Sequence, residues 1–142
     1  QNSHVIPALM RRFHEAKLNK DDKVIVWGTG NAMREFMYVD DMAEACIFIL
    51  ELDKKIYDNN TRSMQSHINI GTGKDTTIRE MATIMKKVVG FKGEIVFDDT
   101  KPDGTPRKLI DVSRISKMGW SYTTELEDGL EKTYKWYLHN QG

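Results

Sequence analysis

Trp27-Gly28-Thr29-Gly30-Asn31-Ala32-Met33-Arg34-Glu35-Phe36-Met37-Tyr38-Val39-Asp40-Asp41 is the stretch that decides the fold. The apolar residues Val24, Ile25 and Val26 run into it as a short strand, and Gly28 and Gly30 mark a tight turn. A second strand carrying Arg34 follows, and Asp40 and Asp41 open a helix. Strands alternating with helices in this way indicate an α/β fold. An arginine on a strand beside a glycine turn suits anion binding, because its planar fork can grip two oxygens of a phosphate or carboxylate. The same spacing also fits a surface arginine paired with Glu35 or Asp40.

Composition narrows the classes of function. The 142 residues fit one domain with a real core, and 21 Lys and Arg balance 21 Asp and Glu. A neutral chain has no global field to draw it to nucleic acid or an anionic membrane, so any anion site is local. Cys46 is the single cysteine. It cannot form an intrachain disulfide, and a cytoplasmic location is the expectation. No apolar run approaches a membrane span. The chain begins at Gln1 without Met and is in a helical pattern by Val5, which suggests a piece of something longer.

Upstream of the decisive stretch, Val5, Ile6, Leu9, Met10, Phe13 and Ala16 recur at helical spacing from about Ser3 to Lys17, with Ser3 as the expected N-cap. His4 and Arg12 lie eight residues apart on this helix, roughly 12 Å along its axis and about 80° apart in azimuth, so one extended ligand could touch both. A solvated first-turn histidine is the competing reading of His4.

Downstream, Met42, Ala45, Cys46 and Ile49 form one helical stripe, on which Cys46 reads as a small buried hydrophobe. Residues 53–66 read as a loop or frayed helix end, and His67 to Ile70 as a short strand closing on Gly71-Thr72-Gly73. That turn lacks the third glycine of a dinucleotide fingerprint and the Gly-Lys-Ser/Thr ending of a P-loop. Thr77 and Glu80 form a capping box before the apolar face Ile78, Met81, Ala82, Met85 and Val89, with Gly90 as the stop. A strand at 94–97 leads to the loop D-D-T-K-P-D-G-T-P-R-K-L of residues 98–109, stiffened by prolines and loaded with Lys101, Arg107 and Lys108. It fits either a loop that closes over a phosphate or a solvated surface loop. A short helix over 113–118 and a final helix capped by Thr124 with Glu127 complete the chain.

Taken together, S-H-V-I-P-A-L-M-R-R-F, V-W-G-T-G-N-A-M-R-E-F-M-Y-V-D-D, H-I-N-I-G-T-G and K-P-D-G-T-P-R-K resemble the C-terminal half of the GDP-L-fucose synthase family. These are extended short-chain dehydrogenases. The first and last segments point to the fucose enzymes, and the middle two are typical of many nucleotide-sugar enzymes of this superfamily. The resemblance covers essentially all of residues 1–142. It implies a single C-terminal substrate-binding (GDP-sugar) domain, with segments that extend the Rossmann sheet of an absent N-terminal half.

The resemblance further implies conversion of GDP-4-keto-6-deoxy-D-mannose to GDP-L-fucose, by epimerisation at carbons 3 and 5 and NADPH-dependent reduction at carbon 4. His4 falls on the family's catalytic histidine, which moves protons beside the keto group with a cysteine of the other half and lies close to the cofactor. Arg12, Trp27 and Arg34 fall on substrate positions, and Asp103 and Lys108 on the substrate loop. NADPH is expected mainly on the N-terminal half, through a G-x-x-G-x-x-G turn and a Y-x-x-x-K pair, neither of which occurs here. The chain alone is therefore expected to be inactive and to associate or be marginally stable, and the full-length enzyme to be a homodimer. Two other readings remain open. One is a dehydratase or 4-epimerase of the same superfamily, and the other is a non-catalytic nucleotide-sugar binding module.

Overall fold

A computed structural model describes residues 4–140. In chain order the elements are α1 (Val5–Asn19), β1 (Lys23–Trp27), β2 (Met33–Glu35), α2 (Val39–Glu51), α3 (Lys54–Asn60), β3 (Asp75–Thr77), α4 (Ile78–Val89), β4 (Glu94–Asp98), β5 (Arg107–Lys108), α5 (Ser113–Lys117) and α6 (Leu126–His139). This is a mixed α/β architecture, as the alternation in the sequence predicts. The described residues divide into two compact units, one formed by residues 4–34, 76–107 and 127–140, the other by residues 35–75 and 108–126.

In the first unit β1 and β4 pair in parallel, with Lys23 opposite Glu94 and Trp27 opposite Asp98. Strand alternation turns Val24 and Val26 inward and leaves Ile25 and Trp27 exposed. α1 packs on α4 and on β1. The core joins Leu9, Met10, Phe13 and Ala16 of α1 to Met81, Ala82, Met85 and Val89 of α4, with Leu130 and Tyr134 from α6. Phe13 is fully buried, with its ring 5.6 Å from that of Phe91. The buried His14 needs a polar partner, and a ring nitrogen meets the Tyr134 hydroxyl at 2.9 Å.

Local signals account for the ends of these helices. The Thr77–Glu80 capping box forms as the sequence predicts, and Gly90 ends α4 in the left-handed conformation at φ +75°. Ser3, the expected cap of α1, lies outside the described residues, and His4 occupies the N-cap position without a side-chain capping bond. Glu127, the expected partner of Thr124, forms an ion pair with Lys87.

The second unit has a smaller apolar core, including Ala45, Ile115 and Met118, and is tied by polar clamps. The buried Asp41 accepts from the Thr123 hydroxyl at 2.9 Å and from the Thr124 amide at 3.0 Å. Arg114 donates to the carbonyls of Gln65 and His67.

Three expectations fail in this unit. Cys46 is exposed rather than buried, because only Asp41 and Ala45 of α2 face the interior. Residues 67–70 form no strand, since among the described residues they have no neighbouring ladder to complete their backbone bonds. Residues 54–60, expected as part of a loop or frayed helix end, form a separate helix, α3, with Asp53 as an N-cap accepting from the Lys55 amide at 2.7 Å. Val39, Met42, Ile47 and Leu50 leave an outer face of α2 apolar and exposed. No helix among the described residues is long and apolar enough to cross a membrane.

Candidate functional site

One face of α1 is where the site begins. Val5, Ala8, Leu9 and Arg12 follow helical spacing and form one wall of a cleft of about 420 Å³ in the first unit. Val26 and Trp27 close it from the end of β1, Gly30 and Ala32 from the glycine turn, Arg34 from β2 and Ile78 from the start of α4. Asp103 and Gly104 of the 98–107 loop complete the rim.

Backbone bonds lock these pieces together. The Ile78 amide donates to the Ala32 carbonyl and the Arg79 amide to the Gly30 carbonyl, both at 3.0 Å, while the Met33 amide reaches the Pro106 carbonyl at 2.8 Å. The lining is thus supplied by four elements, the glycine turn and a loop, with little freedom to drift apart.

The cleft combines two cations with a flat apolar wall. Arg12 donates from Nη1 to the Ile25 carbonyl at 3.3 Å, and its guanidinium carbon sits 5.6 Å from the Trp27 ring centroid. Strand alternation places Trp27 outward, leaving it 63% exposed. Arg34 donates from Nη1 to the carbonyls of Met33 and Thr105, both at 2.6 Å. Those bonds orient the guanidinium plane.

Asp103 is engaged differently from the arginines. Its Oδ1 accepts from the Thr29 amide at 3.0 Å, and its Oδ2 from the Thr29 hydroxyl at 2.6 Å. The pairing of Arg34 with Glu35, one reading of the sequence, is not formed. Glu35 instead accepts from the amides of Thr72, Gly73 and Ile110.

Of the residues singled out from the sequence, Arg12, Trp27, Arg34 and Asp103 therefore share one cleft. His4 stands exposed at the N-cap, one residue before the lining residue Val5. Lys108 is exposed in β5 and belongs to the second unit. Thr29 carries no individual signal in the sequence, and Ile78 reads there only as part of the apolar face of its helix. The helical spacing of Val5, Ala8 and Leu9 with Arg12 was legible there.

Neither Gly-Thr-Gly turn fits a cofactor diphosphate. The turn at 28–30 is closed on the Asp103 carboxylate and the turn at 71–73 on that of Glu35, so each already holds a negative group. No group of acidic, histidine or cysteine side chains suited to a metal ion occurs among the described residues.

A parallel strand pair with helical cover and a cleft lined by two arginines and an indole define this as an α/β domain. Residues 1–71 match the model of the NAD dependent epimerase/dehydratase family, and the chain belongs to that family. It is 58% identical over 140 residues to GDP-L-fucose synthase of Escherichia coli, covering 99% of this chain and 44% of that protein. It is 54% identical over 140 residues to GDP-L-fucose synthase 1 of Arabidopsis thaliana, covering 99% of this chain and 41% of that one. Among solved structures, a GDP-mannoheptose C4 reductase from Campylobacter jejuni with NADP bound superposes with a TM-score of 0.81 at 39% identity, over 97% of this chain and 46% of the other. The chain thus spans less than half the length of these relatives.

Proposed function

We propose that this chain is the substrate-binding part of a GDP-L-fucose synthase that converts GDP-4-keto-6-deoxy-D-mannose to GDP-L-fucose. The observation that carries this reading is the convergence of Arg12, Arg34 and Trp27 on one cleft. Two guanidinium groups offset the charge of a diphosphate whose desolvation is otherwise costly, and an indole offers a flat wall to a base or sugar. The identity to proteins named GDP-L-fucose synthase over nearly the whole chain supports the same substrate class.

In this reading Arg12 and Arg34 hold the diphosphate, and Trp27 lies against the sugar or base. Lys108 and the loop around Asp103 complete the substrate side. His4 serves as the acid/base group for inversion at carbons 3 and 5, beside the cofactor and together with a cysteine outside this chain. A histidine suits that work because its unperturbed pKa lies near neutrality, and a ketone at carbon 4 acidifies both neighbouring C–H bonds. NADPH, when bound, supplies the hydride for reduction at carbon 4. The glycine turns of this chain are occupied by their own carboxylates, and in this reading the cofactor is held mainly by an N-terminal Rossmann half of a homodimeric full-length enzyme, as the family resemblance implies.

Calorimetry on the intact gene product with GDP, UDP and ADP tests the reading. Preferential binding of GDP is expected, and equal or absent binding of all three by the folded protein would overturn it. A His4→Gln substitution separates this function from a dehydratase or 4-epimerase. It should cripple epimerisation while cofactor binding persists, and intact epimerisation removes the role assigned to His4.

A further inference from the structure

We propose that Thr29 is a positioning residue for the cleft, acting through Asp103 to hold the 98–107 loop and, with the loop, the guanidinium of Arg34. The proposal rests on the reading of the cleft as a GDP-sugar site and assigns Thr29 a part in it.

Every polar group of Thr29 is committed. Its amide and hydroxyl donate to the two oxygens of Asp103 at 3.0 and 2.6 Å. Its hydroxyl oxygen accepts from the Asn31 amide at 3.1 Å, and its carbonyl from Arg79 Nη2 at 2.5 Å. Arg79 is itself fixed by stacking over the Phe97 ring, 3.8 Å from its centroid. Thr29 is thus a rigid post, tied on one side to β4 and α4 and on the other to the loop.

Two glycines let the loop close onto that post. A Cβ at Gly28, where φ is +85°, would collide with Oδ1 of Asp103. A Cβ at Gly104 would come within 3.0 Å of Arg34 Nη2. The residue beyond, Thr105, supplies the carbonyl that takes Arg34 Nη1 at 2.6 Å. Wherever Thr29 pins Asp103, it also sets the carbonyl that aims Arg34. The arrangement further explains an acidic residue at the rim of a cleft for a diphosphate. Two donors engage the Asp103 carboxylate, which would repel the ligand if it were turned toward it.

The test compares Thr29→Val, which removes the hydroxyl at nearly constant shape, with Thr29→Ser, which restores it, both in the intact gene product. GDP is the probe. Loss of one bond to a charged acceptor should weaken GDP binding about tenfold in the valine variant, and serine should return it to within about twofold. Turnover at saturating substrate should change far less than KM. In the absence of ligand, hydrogen exchange at the Thr29 and Met33 amides, which donate to Asp103 Oδ1 and to the Pro106 carbonyl of the loop, should quicken in the valine variant and not in the serine one. Unchanged GDP affinity and unchanged exchange in Thr29→Val would overturn the proposal, as would equal impairment of both variants. If the unsubstituted protein does not bind GDP, the underlying functional reading fails, and the exchange comparison still decides whether Thr29 holds the loop.

Discussion

Glu35 lies in the bend made by Thr72 and its neighbours, its Oε1 accepting from the Thr72 amide at 2.6 Å and from the Gly73 amide at 2.8 Å. Successive amides pointing into one concavity form an anion site. The first Gly-Thr-Gly turn treats Asp103 similarly, through the amide and hydroxyl of Thr29. Two turns of identical sequence thus hold carboxylates from distant points of the chain, and the cleft's cations are left to arginines.

Replacing Glu35 with Gln should destabilise the second unit by about 2 kcal/mol, because the side-chain NH2 would then face either the Ile110 amide or the amides of Thr72 and Gly73, where a carboxylate oxygen now accepts. Its Oε2 also takes the Ile110 amide at 3.1 Å, so the segment after β5 should loosen too. Urea denaturation monitored at equilibrium checks this. An unchanged midpoint would show that the turn holds without the carboxylate.

Asp41 gives the protein an acid-sensitive element. Burial alone would raise its carboxyl, but hydrogen bonds from Thr123 and Thr124 outweigh that and hold it below the ordinary aspartate value of 3.8. With the folded-state value depressed, the stabilisation is fully present above that ordinary value and is lost as pH falls through the folded one. Melting temperature followed from neutral pH to about pH 3 should decline more steeply in the parent than in Asp41→Asn.

Arg34→Lys should lower GDP affinity at least tenfold, roughly the loss of one good charge-assisted bond. A lysine ammonium cannot hold the Met33 and Thr105 carbonyls while presenting a planar fork to a phosphate. Titration calorimetry gives the comparison. Parent-like affinity would mean that the guanidinium does not meet the ligand.

Thr77→Ala should cost about 1 kcal/mol through loss of the cap on α4, whose hydroxyl now accepts from the Glu80 amide at 3.1 Å. Since α4 carries Met81 and Met85 into the core, the loss should appear in the cooperative melt and not as local fraying alone.

The outer face of α2 offers a test of association. Val39, Ile47 and Leu50 are 68%, 54% and 84% exposed, an apolar surface that favours self-association in the 142-residue chain. Sedimentation velocity of an Ile47→Glu/Leu50→Glu variant should show less association than the parent.

Much of the local structure was legible because its causes lie within a few residues. The Thr77–Glu80 box, the glycine stop of α4, the apolar periodicity of α1 and the placement of Arg34 on a strand each depend on spacings of one to four positions. The sequence by itself therefore determined the α/β class, most of the helices and the strands flanking the first glycine turn. It also singled out Arg12, Trp27 and Arg34, which line one cleft. Where it misled, the deciding partner was remote or missing. Among the described residues, 67–70 have strand chemistry without a neighbouring strand, and of the stripe Met42, Ala45, Cys46 and Ile49 only Ala45 is buried, since the fold and not the spacing chose which side of α2 turns inward.

Tertiary structure decided which carboxylate meets which turn. Thr29 and Asp103 are 74 residues apart and Glu35 and Thr72 are 37 apart, and no local pattern chooses between two equivalent Gly-Thr-Gly turns. That choice is made when packing brings one acid within reach of each turn's donors. The same packing set Arg12, Trp27 and Arg34 around one cleft, because α1 and β1 share a core and β2 is tied to the loop through the Met33 amide and the Pro106 carbonyl.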